Sequence, residues 1–342
     1  MKDTGVVIIG RNEGERLRRC IASIRGAVEH LVYVDSGSTD GSAAWARDQG
    51  VAVVELDMST PFTAGRARNA GLEHLRRTLP GIEFVQCVDG DCELLDAWLE
   101  AAVRAMRDNP KLGVVCGRLH EKDPNRSIFN RLSQMEWDAP AIGPVPYSGG
   151  IFMVRAAVFE AVRGFDPTLR AGEEPELGAR IRAAGFHIVR LDVPMAVHDS
   201  AMTRVQQYWQ RQVRTAWGAM DLRWRFGIGT HRRELASARF WTIGWLLLVA
   251  GCPLVGVAVT GRPAAWVAAA LAALCLPLQM LRVALRLKRH GESWPNATGG
   301  GFLIMAAKWP QMLGQLRYAM AVMRGKAPVR ASGDGRVVGG ER

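Results

Sequence analysis

The sequence predicts an α/β fold, a mainly parallel sheet flanked by helices, followed by a C-terminal transmembrane helical hairpin. Three observations predict it. Short apolar runs alternate with helical patterns over residues 1 to about 222. Two long uncharged stretches follow, Phe240 to Thr260 and Ala264 to Leu281. The chain's excess positive charge gathers around those stretches rather than over the whole surface.

The elements follow in order. Val6 to Ile9 is a run of aliphatic residues and reads as a strand buried on both faces. Glu13 to Ile24 has helical spacing. Leu31 to Val34 is a strand, Gly41 to Gln49 a helix and Val51 to Val54 a strand. Ala64 to Leu79 is a helix, Phe84 to Val88 a strand and Leu95 to Asp108 a helix. Val114-Val115 opens another strand. In a parallel sheet the ligand lies beyond the carboxyl ends of the strands. Asn12-Glu13, Asp35-Ser36 and Asp89-Gly90-Asp91 each follow a strand, so they are expected along one edge.

The chain has 342 residues, of which 48% are hydrophobic and 23% charged, which excludes a mainly disordered chain. It has 44 basic and 33 acidic residues, a formal +11. From Arg223 onward 17 basic residues stand against 4 acidic ones, +13, and the first 222 residues carry −2. That placement flanks a membrane segment and argues against nucleic acid as a partner. Six scattered cysteines without a CxxC pair read as free thiols in a reducing compartment. The run Val6 to Ile9 is too short for the core of a signal peptide.

Phe240 to Thr260 would span about 31 Å as a helix, matching a bilayer core. Only Gly261-Arg262-Pro263 separates it from Ala264 to Leu281, and Trp241, Trp245 and Trp266 suit the interface. Arginines precede the pair, Arg282, Arg286, Lys288 and Arg289 follow it, and the turn has Arg262 alone. The positive-inside rule then puts both ends in the cytoplasm. The rival reading is a buried hairpin in a soluble core. Phe302 to Met323 is apolar but interrupted by Lys308, Pro310 and Arg317; it reads as an amphipathic surface segment, with a third span as the alternative. Four regions result: a cytoplasmic domain over 1–222, the hairpin with basic flanks over 223–290, a membrane-associated segment over 291–325, and a disordered tail over 326–342.

Asp89-Gly90-Asp91 is the central motif. Two carboxylates one residue apart after a strand can face one hard cation, Mg²⁺ or Mn²⁺, bridging a diphosphate. The same triplet also makes an ordinary turn. Other motifs stand in order with it: Val6 to Glu13, Val32 to Gly41, Gly65 to Gly71, Gly149-Gly150, Gly164-Phe165-Asp166, Gly172 to Leu177 and Val197-His198-Asp199.

In this ordered set, over roughly residues 4 to 200, the chain resembles the family-2 glycosyltransferases, membrane-attached bacterial members included. The resemblance implies a Rossmann-like, glycosyltransferase A-type fold and a nucleotide-diphosphate sugar donor. Asn12 and Glu13 match a nucleotide contact, Asp35 the acid at the base or ribose, and Arg68 the arginine near base and phosphates. Asp89 and Asp91 match the Asp-x-Asp at the metal, with Asp91 as its direct ligand and Asp89 also at the donor, and His198 matches a late histidine that joins the metal or diphosphate. Glu174 matches the catalytic base. A metal would absorb the charge of the departing diphosphate while one carboxylate takes the acceptor's proton, which predicts inversion.

Each residue also has a plainer reading. Glu173, Glu174 and Glu176 suit the first turn of any helix, and which of them is the base stays open. Arg66 and Arg68 suit a solvated helix, His198 a surface histidine and Asp40 a turn. Trp137 and Tyr147 could stack on an acceptor sugar or pack in the core. Asp35-Ser36 stands where the family often has Asp-Asp. Arg211 and Arg214 are candidates for a donor diphosphate or a lipid phosphate. The expected activity is transfer of a sugar to a lipid-linked or cell-envelope saccharide acceptor at the inner membrane. The alternatives are a polyprenyl-phosphate sugar synthase, a non-catalytic nucleotide-sugar-binding scaffold and a soluble nucleotidyltransferase.

Overall fold

The structure, a computed structural model, describes residues 1–251 and 264–325. Its centre is a nine-stranded sheet, numbered along the chain, in which eight strands run in the order β3-β2-β1-β4-β8-β6-β9-β5 and the ninth, β7, pairs with β9 off this path. The first four are β1 (Thr4–Gly10), β2 (His30–Asp35), β3 (Ala52–Glu55) and β4 (Phe84–Asp89). They pair in parallel. Helices α1 (Glu15–Ile24), α2 (Ser42–Asp48) and α3 (Ala64–Thr78) make the crossovers. Val6, Val7 and Ile8 are fully buried because helices cover both faces of β1. Gly71 lets α3 lie against the sheet: a Cβ there would sit 2.3 Å from Val7 Cγ1. Strand order reverses between β1 and β4, which opens a crevice at their carboxyl ends.

The expectation of a mainly parallel sheet is corrected in the second half. There β5 (Cys92–Leu94), β6 (Leu112–Glu121), β7 (Gly143–Pro144), β8 (Phe152–Arg155) and β9 (His187–His198) form a mixed region. Strand β8 is antiparallel to both β4 and β6, and β5 and β7 are antiparallel to β9. Only β6 and β9 run in parallel. The reason lies in the connection. After β6 the chain forms α5 (Ile128–Asp138), runs back beside the start of β9 as β7, and returns to the carboxyl edge at Gly149-Gly150, next to Asp89. A strand leaving that edge must run back through the sheet. Helices α4 (Trp98–Asp108), α6 (Ala156–Ala161) and α7 (Glu173–Ala183) complete the layers.

A helical region follows: α8 (Val205–Phe226), α9 (Arg232–Arg239) and a π-helical turn (Phe240–Gly244) that continues as helix through residue 251. Then come α10 (Ala264–Arg289), α11 (Trp294–Ala306) and α12 (Lys308–Met323). Among the described residues one helix, Trp266–Arg289, is long and apolar enough to cross a membrane, and almost none of it is buried. It runs past the expected end at Leu281, so its basic residues belong to the same helix. Trp245 Nε1 donates to Ala272 O at 2.9 Å, which ties the helix after the π turn to α10. The expected turn and the second half of the first uncharged stretch, residues 252–263, lie outside the described residues, as does the tail over 326–342.

The expected single segment Phe302 to Met323 is two helices meeting at Ala307. Pro310 explains the break, because a proline is tolerated in a helix's first turn and not in its interior. Helix α12 packs on α8 through small and polar residues. Tyr318 Oη donates to Asp221 Oδ1 at 3.0 Å and Gln311 Nε2 to Gln212 Oε1 at 2.8 Å. Gly314 permits the approach, since a Cβ there would meet Val213 O at 2.4 Å. Gly314→Ala therefore separates the two helices at a cost of about 1–3 kcal/mol. The check is a lowered thermal midpoint together with faster proteolysis of the C-terminal helices.

Candidate active site

Parallel strands aim their terminal loops into the crevice. Asn12 follows β1 in the left-handed region at φ 57°, tolerable for asparagine. Its Oδ1 accepts from Thr39 N at 2.7 Å and its own N donates to Ser38 Oγ at 2.9 Å. Asn12 thus ties the loop after β1 to the loop after β2. Asp35, almost fully buried, accepts from Gly37 N, Ser38 N and Tyr33 Oη at 3.0, 2.8 and 2.9 Å. Its carboxylate holds the β2 loop in shape. Glu13 pairs with Arg16 at 2.7 Å, and burial together with the Asp91 charge pushes it up to about 6.

Asp89 and Asp91 diverge to two partners. Arg68, 2% exposed on α3, donates through Nη2 to Asp89 Oδ1 at 2.9 Å. Its Nη1 lies 3.4 Å from Glu174 Oε1 and 3.5 Å from Glu173 Oε1. One guanidinium therefore joins acids from the β4 loop and from the start of α7. Gly150 closes this cluster: a Cβ on it would sit 2.6 Å from Arg68 Nη2, 2.9 Å from Asp89 Oδ2 and 3.6 Å from Glu174 Oε1. Three motifs far apart in the chain thus converge on one point.

The three glutamates separate by partner. Glu176 makes a two-pronged ion pair with Arg180 at 2.6 and 2.5 Å and faces away from the cluster. Glu173 is buried beside Arg68. Glu174 is partly exposed, and burial plus the Glu173 charge push it up to about 8, with Arg68 opposing. Gly172, at φ 88°, caps the helix; a Cβ there would strike Leu222 of α8 at 2.6 Å. The loop before it is held by Asn69, whose amide exchanges two 2.9 Å hydrogen bonds with the Phe165 backbone. Arg225 of α8 holds it from the other side, 2.8 Å from Asp166.

Asp91 turns the other way, to His198. Sheet register makes the contact: β5 and β9 pair Cys92 with His198, and β6 and β9 pair Glu121 with His198. His198 Nε2 lies 3.4 Å from Asp91 Oδ2, and the Trp137 ring meets the imidazole edge-on at 4.7 Å. Burial disfavours charge on the imidazole, but Asp91 and Glu121 outweigh it and push His198 up to about 9. Burial likewise opposes charge on Asp91, which His198 and Arg16 nevertheless hold below the usual carboxylate range.

This end of the site fits a cation. Ligand atoms of Asp91, Cys92 and His198 lie within 4.8 Å of one another. His198 Nδ1 and Glu121 Oε2 are buried without hydrogen-bond partners. Carboxylate and imidazole donors are those that Mg²⁺ or Mn²⁺ accepts. Beside the site a cavity of about 200 Å³ is lined by Trp137, Tyr147, Gly149, Gly150 and Arg190.

Some residues differ from their sequence reading. Arg211, a candidate for phosphate, is engaged with Glu136 at 2.5 Å and Ser133 at 3.0 Å. Asp40 accepts from Ser42 N at 3.0 Å and is the expected turn residue. Arg66 donates to Asp57, Thr60 and Pro61 carbonyls and shapes the loop before α3. Glu121 and Cys92 escaped sequence reasoning, and Asn69 and Gly150 stood in the motifs Gly65 to Gly71 and Gly149-Gly150 without a role. Each acts through a partner distant in the chain.

Residues 5–163 match the family described as Glycosyl transferase family 2. Among curated proteins the chain is 29% identical over 143 residues to a TPR repeat-containing protein of Synechococcus elongatus, covering 42% of this chain and 33% of that one. It is 27% identical over 213 residues to the pre-mycofactocin glycosyltransferase of Mycobacterium tuberculosis, covering 58% and 43%. The chain thus spans less than half the length of the curated relatives it matches. Among solved structures, a mannosyltransferase from Pyrobaculum calidifontis in complex with GDP-Man and Mn²⁺ has the same fold, with TM-score 0.57 and 18% identity. The likeness covers 93% of this chain and 87% of that one.

Proposed function

We propose, from the premise that this chain is a family-2 glycosyltransferase, that it moves a sugar with inversion from a nucleotide-diphosphate sugar to a lipid-linked or cell-envelope saccharide acceptor. One observation carries the reading: Arg68 holds Asp89 on the donor side and Glu174 on the other side within a single cluster. Oxygens of both carboxylates lie within 4 Å of one point beside Gly150.

Asp91 and His198 would hold Mg²⁺ or Mn²⁺, and Asp89 would contact the donor. The cation, when bound, neutralises charge on the departing nucleoside diphosphate. The protein's own groups do the rest. The β1 and β2 loops, joined through Asn12, form the nucleotide's seat together with Glu13 and Asp35. Arg68 fixes the direction of Asp89 and Glu174. Glu174 takes the proton of the attacking hydroxyl at a carboxylate oxygen. Glu176, bound to Arg180, is not a base in this reading. Trp137 and Tyr147 border the cavity open to an acceptor.

The membrane assignment rests on the exposed apolar surface of Trp266–Arg289 and on the basic residues flanking it. In this reading residues 1–222 form the catalytic domain on the cytoplasmic face of the inner membrane. Residues 223–290 anchor it, 291–325 lie along the bilayer and 326–342 form a tail. An enzyme fixed at the bilayer gains effective concentration toward acceptors fixed there.

A donor screen with purified protein and Mn²⁺ tests the function, read as nucleoside diphosphate release with and without membrane lipid extract. One donor is expected to give metal-dependent release that rises with the extract. Asp91→Asn should lower release by about 100-fold or more at limiting Mn²⁺, with partial recovery at high Mn²⁺. Metal-independent release, or an unaffected Asn variant, rejects the assignment.

A further inference from the structure

A second site lies between α8 and α12, outside the active-site cluster. A groove of about 520 Å³ is lined by Arg170, Arg214 and Arg317, with Trp209, Trp217 and Gln206 among its walls. No acid lines it. The neighbouring Arg211, by contrast, is engaged with Glu136. Three arginines, from the loop before α7, from α8 and from α12, line this one groove, and an anion in it would offset their like charge. All three are exposed, so the convergence does not arise from core packing. The surface beside Arg317 is apolar: Leu316, Met320 and Met323 are 45%, 39% and 78% exposed. Trp209 adds another exposed aromatic face, 40% accessible. Anion-binding arginines next to an uncovered apolar strip match a molecule with an anionic head and an apolar tail.

We infer that this groove binds the phosphate headgroup of a membrane lipid, its apolar chain lying along Leu316, Met320 and Met323. The inference rests on the proposed membrane-bound acceptor and assigns that acceptor a seat. Arg170 precedes Glu174 by four residues, so their Cα atoms lie within about 14 Å of each other. A phosphate held there leaves the first sugar or hydroxyl of a lipid-linked acceptor within reach of Glu174. Arg214 and Arg317 fork onto phosphate oxygens, and Trp209 and Trp217 flank the junction of head and tail.

The probe is a short prenyl monophosphate, farnesyl phosphate, titrated into the full chain in a non-ionic detergent and read by tryptophan fluorescence. Saturable binding is expected, with farnesol and inorganic pyrophosphate each binding at least tenfold more weakly. Arg214→Ala/Arg317→Ala should weaken farnesyl phosphate binding about tenfold or more. Trp209→Phe should diminish the fluorescence signal. Arg214, a sequence candidate for the donor diphosphate, lines this groove with Arg317 and not the loops after β1, β2 and β4, so donor-nucleotide binding with Mn²⁺ in the same preparation should stay unchanged; that control separates this inference from the proposed activity. Equal affinity of the double variant, or pyrophosphate binding as tightly as farnesyl phosphate, overturns the assignment. A matched thermal midpoint shows the variants are folded.

Discussion

Replacing Glu174 with glutamine lowers the rate of sugar transfer by about 10²–10⁴-fold and leaves nucleotide binding intact. The glutamine keeps the shape of the side chain and loses only the ability to take a proton. Burial and the Glu173 charge raise Glu174 to about 8 in the free protein. A base must be deprotonated to act, so kcat/KM rises with pH and levels off above about 8. Glu174→Gln removes that limb of the profile. Glu173→Gln moves its midpoint toward acid, because the repelling neighbour has gone. Glu176→Gln leaves the profile in place, since Glu176 faces Arg180. Turnover of the glutamine variant within tenfold of the parent would reject the assignment. It would favour an acceptor that is already an anion, as in a polyprenyl-phosphate sugar synthase.

Arg68→Met produces the largest loss of stability. The guanidinium is buried against Asp89, Glu173 and Glu174, and methionine leaves three acids without a counter-charge. Removing one partner of a buried ion pair costs about 3–5 kcal/mol. For the smallest such loss the thermal midpoint falls by about 6–12 °C. The sign with pH is fixed. Arg68 opposes the upward push on Glu174, so without it Glu174 gains a proton more readily in the folded state than in the unfolded chain. Stability then favours low pH and is lost as pH rises through the folded-state value of Glu174. Thermal unfolding at pH 6 and pH 9 should show a wider gap from the parent at pH 9. An equal gap at both would mean that packing over the Phe165 ring, 5.6 Å away, explains the loss.

Much of the fold was legible because it rests on local rules. The strand at Val6 to Ile9 extends to Thr4–Gly10 in the structure, and the helix at Ala64 to Leu79 is Ala64–Thr78. Both have unbroken periodicity and clear stops. The antiparallel return of β8 was not legible. The short strand Phe152–Arg155 carries no mark of direction, and direction came from the loop that returns the chain to the carboxyl edge at Gly149-Gly150. The break at Ala307 had a visible signal in Pro310, which an amphipathic pattern over the whole segment concealed.

Local pattern along the chain accounts for the order of elements, the edge that bears Asn12, Asp35 and Asp89, and the basic flanks of the apolar stretches. Periodicity, strand ends and charge are properties of neighbouring residues, so they can be read along the chain. Tertiary structure alone decided which acid is held for what. Arg68 selects Asp89 and Glu174, Arg180 withdraws Glu176, and the pairing of β5, β6 and β9 sets His198 between Asp91 and Glu121. Those choices depend on distances of a few ångströms between groups up to about a hundred residues apart, and the strength of a charge contact follows distance in space rather than separation in sequence.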